Sequence, residues 1–213
     1  MPRTRIKMCG FTRVEDALFA ARAGADALGL IFYGASPRSV AIARAVEISR
    51  ALPPFISAVA LFVNESADVV AATIDAVRPS MLQFHGDEDE AYCSQFGLPY
   101  LKAIRVGGEM TPGDLLKYEA DFHSAKALLL DTLSASSFGG TGASFDWKLV
   151  PASMRTRIVL SGGLNAENVQ DAVEQLRPWA VDVSSGIETA IKGIKDQQRI
   201  TQFIEAVKNA DAS

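Results

Sequence analysis

Short apolar runs alternate with amphipathic segments along the whole chain, and this alternation limits the possible folds more than any other feature. An apolar run followed by a helical segment is typical of a βα unit, and repeated βα units build a parallel sheet. Several runs are apolar at nearly every position, as expected for strands buried on both faces. We predict strands at 6–9, 27–31, 56–62, 81–84, 100–104, 127–130, 158–160 and 180–183.

The segments between these runs have the apolar spacing of amphipathic helices. Ser66 and Asn165 stand ahead of two of them, where a polar side chain can cap a helix N-terminus. Two further segments predict weaker helices, because 111–120 contains a proline and a glycine and 146–150 is brief. The stronger helices are predicted at 14–23, 41–51, 66–77, 87–96, 166–176 and 196–209.

Eight βα units favour a single (β/α)8 barrel, the TIM barrel of the α/β class, as one domain over residues 1–213. Such barrels typically have about 250 residues and can be built with about 200. A doubly wound open sheet shares the same local pattern and is the alternative architecture. The number of units and the placement of glycine-rich turns favour the barrel. No linker, charge block or low-complexity tract divides the chain.

Charge and cysteine content narrow the class of protein. A formal net charge of −4, with no Lys/Arg run, is unlike a nucleic-acid-binding protein. The two cysteines, Cys9 and Cys93, are too few for a disulfide framework, which favours a reducing compartment. The N-terminus lacks the apolar run of a signal peptide, and no apolar stretch approaches the roughly 20 residues that span a bilayer. We therefore expect a cytoplasmic protein with neither a nucleic acid nor a membrane as partner.

Polar residues and glycines gather where the predicted strands end. In a (β/α)8 barrel the active site lies at the C-terminal ends of the strands and in the loops that follow. The polar interruptions of the apolar runs therefore point to a shared site. They are Cys9-Gly10, Ser36-Pro37-Arg38, Gln83-Phe84-His85-Gly86, Asp131, Gly139-Gly140-Thr141-Gly142, Ser161-Gly162-Gly163 and Asp182-Val183-Ser184-Ser185-Gly186.

The glycine-rich turns after the last three strands predict a phosphate site. Glycine has no Cβ, so backbone N–H groups can approach an anion closely. Phosphate sites in these barrels are frequently built from the loops after strands seven and eight and the N-terminus of a short extra helix, which we place at 187–191. Each glycine pair taken alone is equally an ordinary turn. The predicted phosphate-binding residues are Gly142, Gly162, Gly163, Ser184, Ser185 and Gly186.

Cys9 and Asp131 are the two candidate catalytic residues. Cys9 ends the first strand, where a thiolate can act as a general base or a nucleophile; the alternative is a small buried side chain. Asp131 ends an apolar run, where desolvation favours the protonated form of a carboxyl and suits a general acid. A helix cap or a loop-anchoring acceptor is the alternative for Asp131. Cys93 lies within a predicted helix and is expected to pack in the core.

Two further residues are candidates for substrate binding. The planar guanidinium of Arg38 can pair bidentately with a carboxylate, although a surface arginine is the alternative. His85 either lines the pocket or is a neutral, hydrogen-bonded structural histidine. With only His85 and His123 in the chain, no metal-ligand cluster can be assembled. Lys7 shares its strand face with Cys9 and is expected in an ion pair inside the barrel.

In order along the chain, these fragments resemble the phosphoribosylanthranilate isomerase family. The resemblance covers essentially the whole chain, and the ordered set is specific although each fragment alone is weak. The matching fragments are Lys7-Met8-Cys9-Gly10, Ser36-Pro37-Arg38, Phe62-Val63-Asn64, Gln83-Phe84-His85-Gly86, Leu130-Asp131-Thr132, Gly139-Gly140-Thr141-Gly142 with Phe145-Asp146-Trp147, Ser161-Gly162-Gly163-Leu164-Asn165, and Asp182-Val183-Ser184-Ser185-Gly186-Ile187-Glu188.

The resemblance implies a (β/α)8 barrel and an Amadori rearrangement of N-(5-phosphoribosyl)anthranilate without metal or organic cofactor. It implies that Asp131 is the general acid and Cys9 the general base. Arg38 would bind the anthranilate carboxylate, Asp182 a sugar hydroxyl, and the glycine loops the phosphate. The alternatives are another phosphate-binding barrel isomerase or epimerase, and a non-catalytic sensor of a phosphorylated ligand. The sequence does not reveal the oligomeric state.

Overall fold

The apolar runs form a closed parallel barrel. A computed structural model describes residues 3–132 and 145–213, and in these residues the strands follow chain order until β8 pairs with β1. The predicted TIM barrel is therefore confirmed, and the open-sheet alternative is wrong. The strands are β1 Arg5–Cys9, β2 Ala27–Ile31, β3 Ser57–Phe62, β4 Met81–Phe84, β5 Tyr100–Val106, β6 Ala127–Thr132, β7 Ile158–Leu160 and β8 Ala180–Val183.

Helices cover the outside of the barrel and bury their apolar faces against the strands. No helix in the described part of the chain is both long and apolar enough to span a membrane. The brief helix predicted at 146–150 is a 3-10 turn at Trp147–Leu149, followed by another at Ala152–Arg157. The α-helices are α1 Val14–Ala23, α2 Ile42–Ala51, α3 Ala67–Val77, α4 Glu90–Ser94, α5 Pro112–Asp121, α6 Val169–Leu176 and α7 Gln197–Ala212.

Capping explains why two helices differ from their predictions. Helix α5, which the sequence predicted as weak, is regular because Thr111 and Asp114 form a capping box and Pro112 occupies the first turn. Helix α4 begins at Glu90, later than predicted, because the Asp89 carboxylate accepts a hydrogen bond from the backbone N–H of Tyr92. A side chain that caps in this way fixes its own residue outside the helix.

The extra helix predicted at 187–191 is wrong. The chain forms a single 3-10 turn at Ser185–Ile187, after which Glu188 is extended and pairs with Lys195 in an antiparallel bridge. The Glu188 side chain is buried and accepts hydrogen bonds from Arg38 and Lys195. These ion pairs hold Glu188 in a conformation that cannot continue a helix.

Alternate residues of each strand fill the barrel interior. Six buried apolar residues form one cluster there, namely Leu101, Ala103, Ala127, Leu129, Val159 and Ala180. Lys7 and Asp182 also face inward and form a buried ion pair, with Nζ 2.8 Å from Oδ1, so the interior ion pair predicted for Lys7 is confirmed. Cys9 lies two residues further along β1, nearer the C-terminal ends of the strands.

Candidate active site

The C-terminal end of the barrel opens into a cavity of about 670 Å³. The predicted site residues come from loops and strands far apart in the sequence, and the barrel brings most of them together here. Gly186 does not line the cavity, and Gly142 lies outside the described residues. Those that line the cavity are Cys9, Arg38, His85, Asp131, Gly162, Gly163, Asp182, Ser184 and Ser185.

The Cys9 side chain is buried at the end of β1, against the backbone of β2. A Cβ at Gly29 would lie 2.5 Å from Cys9 Sγ, so the glycine leaves the space that the sulfur fills. Burial raises the pKa of the thiol, while the charges of Lys7 and Lys195 act in the opposite direction without cancelling the rise. Because Cys9 is a free thiol on the cavity wall, it is available as a base or nucleophile.

Asp131 and His85 are in contact on the opposite side of the barrel mouth. His85 Nε2 lies 3.1 Å from Asp131 Oδ2, and His85 Nδ1 lies 2.9 Å from Gln83 Nε2. With the Gln83 amide in this orientation, the ring proton is on Nε2 and is donated to Asp131. The second oxygen of Asp131 accepts a hydrogen bond from the backbone N–H of Thr132 at 2.9 Å. The contact places an imidazole next to the candidate acid, a role that the sequence did not reveal for His85.

Arg38 is buried and lines the cavity, so the surface alternative is wrong. Its guanidinium makes a bidentate pair with Glu188, with Nε and Nη2 each 2.7 Å from a carboxylate oxygen. Burial alone would raise the pKa of Glu188, but the Arg38 hydrogen bond and the charges of Lys195 and Arg38 hold it below its ordinary value. A guanidinium has five N–H donors, so Glu188 fixes its plane and leaves donors for a ligand.

The loops after β7 and β8 form compact turns at their glycines. Gly162 and Gly163 have φ of 87° and 67°, a backbone region that favours glycine. A Cβ at Gly162 would lie 2.3 Å from Thr132 Oγ1, and one at Gly186 would lie 2.1 Å from the Leu164 carbonyl oxygen. Gly186 therefore allows the two loops to pack together, while Gly162 and Gly163 border the cavity.

Asp182 and Ser184 connect the cavity floor to β1. Asp182 Oδ1 accepts from Lys7, and Oδ2 lies 3.4 Å from the Ser161 hydroxyl. Ser184 donates its hydroxyl hydrogen to the Cys9 carbonyl oxygen at 3.0 Å. The predicted sugar-binding carboxylate is thus engaged within the protein on both oxygens, although it still lines the cavity.

Two residues that support the site carried no role in the sequence analysis. Glu188 belongs to a quoted fragment, and Lys195 was not singled out. Lys195 Nζ is buried and donates to the carbonyl oxygens of Cys9 and Ser184 and to Glu188 Oε1, at 2.6, 3.1 and 3.0 Å. Both residues lie after the last strand. The sequence signal that could have found them is an acidic residue, Glu188, followed closely by Lys192 and Lys195. In residues 3–132 and 145–213 no His, Cys, Asp or Glu cluster has the arrangement of a metal site.

Comparison with known proteins places this geometry in one family. The family model for N-(5'-phosphoribosyl)anthranilate (PRA) isomerase matches residues 6–206. An N-(5'-phosphoribosyl)anthranilate isomerase of Pseudomonas paraeruginosa is 55% identical over 210 residues, which cover 98% of this chain and 97% of that protein. The crystal structure of phosphoribosyl anthranilate isomerase from Thermotoga maritima superposes with a TM-score of 0.86 at 39% identity, covering 97% of this chain and 99% of that one.

A further solved structure is of a phosphoribosyl anthranilate isomerase in complex with reduced 1-(o-carboxyphenylamino)-1-deoxyribulose 5-phosphate. It has a TM-score of 0.84 at 38% identity and covers 97% of this chain and 99% of that one. The match extends over the strands and loops that carry the cavity, at identities well above those at which only a fold is shared. This chain belongs to the N-(5'-phosphoribosyl)anthranilate isomerase family.

Proposed function

We propose that this chain catalyses the Amadori rearrangement of N-(5-phosphoribosyl)anthranilate to 1-(2-carboxyphenylamino)-1-deoxyribulose 5-phosphate in tryptophan biosynthesis. The observation that carries the proposal is the convergence of Cys9 and Asp131 on one cavity, at the ends of β1 and β6. The family membership supports the isomerase class and the substrate. A relative is bound to a reduced form of the product, which supports a phosphorylated small-molecule ligand.

The first step assigned to this site is ring opening. Protonated Asp131 donates its proton to the furanose ring oxygen, the C1–O bond breaks, and the nitrogen lone pair forms a C1=N iminium. The carboxylate that remains is stabilised by the hydrogen bonds from Thr132 and His85.

The second step is removal of the C2 proton by the Cys9 thiolate. The C2–H electron pair forms the C1=C2 bond of an enolamine, and the iminium electrons return to nitrogen. The enolamine then tautomerises to the ketose by losing the proton of its 2-hydroxyl and gaining one at C1. The substrate iminium is itself the electron sink for this sequence. General acid–base groups of this kind typically contribute about 10²–10⁴-fold to the rate.

Substrate binding is assigned to the loops around these two groups. Backbone N–H groups of the loops after β7 and β8, including Gly163 and Ser185, would hold the phosphate. Arg38 would bind the anthranilate carboxylate through the donors that Glu188 leaves available. Gly142 belongs to the same proposal by its sequence position. The two cysteines, Cys9 and Cys93, are free thiols, which supports a reducing compartment such as the cytoplasm.

Replacing Arg38 with alanine is expected to raise KM by about 10–100-fold, since a hydrogen bond to a charged group contributes about 1.5–3 kcal/mol. Anthranilate-like inhibitors should weaken by a similar factor, while kcat changes little. Steady-state kinetics and inhibitor titration measure both. Arg44→Ala removes an exposed arginine that pairs with Glu47 on α2 and serves as the matched control. An unchanged KM in Arg38→Ala would show that Arg38 does not bind the carboxylate.

The activity itself is tested with substrate generated in place. Anthranilate and phosphoribosyl pyrophosphate are converted to phosphoribosylanthranilate by the appropriate transferase, and its fluorescence is followed after this protein is added. Rapid loss of fluorescence with appearance of the ring-opened ketose is expected. The double variant Cys9→Ala/Asp131→Asn is the matched control and should leave only the uncatalysed decay. Decay at the uncatalysed rate with folded wild-type protein would overturn the proposed function.

A further inference from the structure

Lys7 is a buried cation next to the candidate base and has no part in the chemistry described so far. It lies two residues before Cys9 on β1, so both side chains face the barrel interior. Both residues are almost fully buried, with exposed fractions of 4% each. The Lys7 ammonium donates a hydrogen bond to Asp182 Oδ1 at 2.8 Å. Lys7 and Asp182 therefore form a buried ion pair beside the cysteine that ends β1.

The surroundings keep Lys7 charged. Burial alone would lower the pKa of the ammonium, but Asp182 and Cys9 together raise it above its ordinary value. A lysine held in its charged form has no lone pair, so Lys7 cannot be the base that takes the substrate proton. Lys7 can therefore act on the reaction only through its charge. The group beside it on β1 whose charge changes during the reaction is Cys9.

The charged groups that face Cys9 come from β1 and from the end of the barrel around β8. Lys7 and Lys195 favour the thiolate, whereas Asp182 and burial favour the neutral thiol. Lys195 reaches the Cys9 carbonyl oxygen rather than the sulfur. The neighbouring β2 contributes Gly29, which has no side chain. Ile31, Leu61 and Val63 are the buried apolar neighbours of Cys9, and Tyr33 packs against them. Lys7 is thus the buried cation on the same face of β1 as Cys9, two residues away.

We propose that Lys7 is a positioning residue that stabilises the thiolate of Cys9 and so makes this buried thiol competent as the base. The catalytic meaning of this inference rests on the proposed function, but the ionisation of Cys9 does not. In the thiolate state Lys7 is shared between two anions, Cys9 and Asp182. When the sulfur takes the C2 proton of the substrate, the S–H bond forms, the charge on sulfur disappears and Lys7 remains paired with Asp182.

The test measures Cys9 ionisation without turnover. Iodoacetamide alkylates the thiolate, forming a C–S bond and releasing iodide, and its rate follows the thiolate fraction. Alkylation of Cys9 is followed against pH by mass spectrometry of its peptide, which separates it from Cys93. In Lys7→Met the pH midpoint should rise by about one to three units, because a nearby opposite charge typically shifts a pKa by that amount. At pH 8 the alkylation rate should fall at least about tenfold.

Two further variants test the direction of the shift in the Cys9 midpoint and control for the loss of a buried ion pair. Asp182→Asn removes the charge that disfavours the thiolate, so its midpoint should move in the opposite direction, downward. Lys102→Met breaks another buried lysine–carboxylate pair, with Glu88, and should lower the thermal midpoint as Lys7→Met does. Its Cys9 alkylation profile should nevertheless match the wild type, because Lys102 contacts Gly86 and Glu88 rather than Cys9.

Lys7→Arg keeps a positive charge and should keep a profile close to the wild type, so it tests the idea if Lys7→Met does not fold. If the pH profile of Cys9 alkylation in Lys7→Met coincides with those of the wild type and Lys102→Met, Lys7 has only a structural role in its ion pair. That result would overturn the inference. A shifted profile in a protein without isomerase activity would support the role of Lys7 while the proposed function fails. The two proposals can therefore be told apart.

Discussion

Asp131→Asn is expected to lower kcat by about 10²–10⁴-fold, the usual contribution of a general acid, with the barrel intact. Asparagine has the size of aspartate but no proton acidic enough to open the furanose ring. Its amide can still accept the Thr132 N–H. It can also donate to His85 Nε2 once the imidazole changes tautomer and the Gln83 amide turns over, so the local hydrogen bonds are kept. Steady-state kinetics, with circular dichroism as the check on folding, measure the effect.

The matched control for this change is Asp89→Asn, the same chemical substitution outside the cavity. Asp89 caps helix α4, where asparagine is an equally good cap, so both activity and stability should be close to wild type. Near-normal kcat in Asp131→Asn would remove Asp131 from the role of acid. Loss of fold in that variant would instead assign Asp131 to the loop-anchoring role that the sequence left open.

Cys9→Ala is the second large effect, with kcat again reduced by about 10²–10⁴-fold. Alanine leaves no group able to take the C2 proton, whereas the side chain is small enough for the strand to keep its place against Gly29. Wild-type kcat/KM should also rise with increasing pH as Cys9 ionises, because the thiolate is the active form. Burial raises the pKa of this thiol, so we expect this rising limb of the pH profile on the alkaline side. That limb should be absent from the residual activity of Cys9→Ala.

Cys93→Ala is the matched control for Cys9→Ala, because it removes the other thiol, which lies outside the cavity. Cys93 is fully buried among core side chains, and burial raises its pKa to about 12, so it carries no reactive thiolate at neutral pH. Its removal should lower stability slightly and leave kcat unchanged. If Cys9→Ala also keeps normal turnover, the base must be sought elsewhere on the cavity wall.

The strands were predictable because their runs are apolar at nearly every position, which indicates burial on both faces. Runs such as 127–130 are apolar on both faces, as expected for a strand of a parallel sheet that is covered on both sides. The polar residues at the ends of these runs were equally visible, so the sequence alone could place Cys9 and Asp131 at the barrel mouth. Closure of the barrel depends on the long-range pairing of β8 with β1. In the sequence it was indicated by the number of βα units and the placement of the glycine-rich turns.

The loop after β8 could not be predicted, because distant residues decide its conformation. The helix at 187–191 was expected from the usual build of phosphate sites in such barrels. In the structure Arg38 and Lys195 hold the Glu188 side chain in the interior, and the backbone of Glu188 is extended. The partners of a buried carboxylate cannot be read from the residues beside it. For the same reason the sequence placed Arg38 and His85 in the pocket but did not reveal that each is held by a second side chain.

The pairing of Arg38 with Glu188 has a consequence for attempts to transplant this barrel's units. Residue 38 belongs to the second βα unit, but the orientation of its guanidinium is set by the eighth, 150 positions further along the chain. Lys195 extends the dependence to the first unit through the Cys9 carbonyl oxygen. Grafting the loop that carries Arg38 into another barrel would therefore transfer the residue without Glu188, which fixes the orientation of its guanidinium. A chimera that keeps the recognition geometry has to exchange units one, two and eight together.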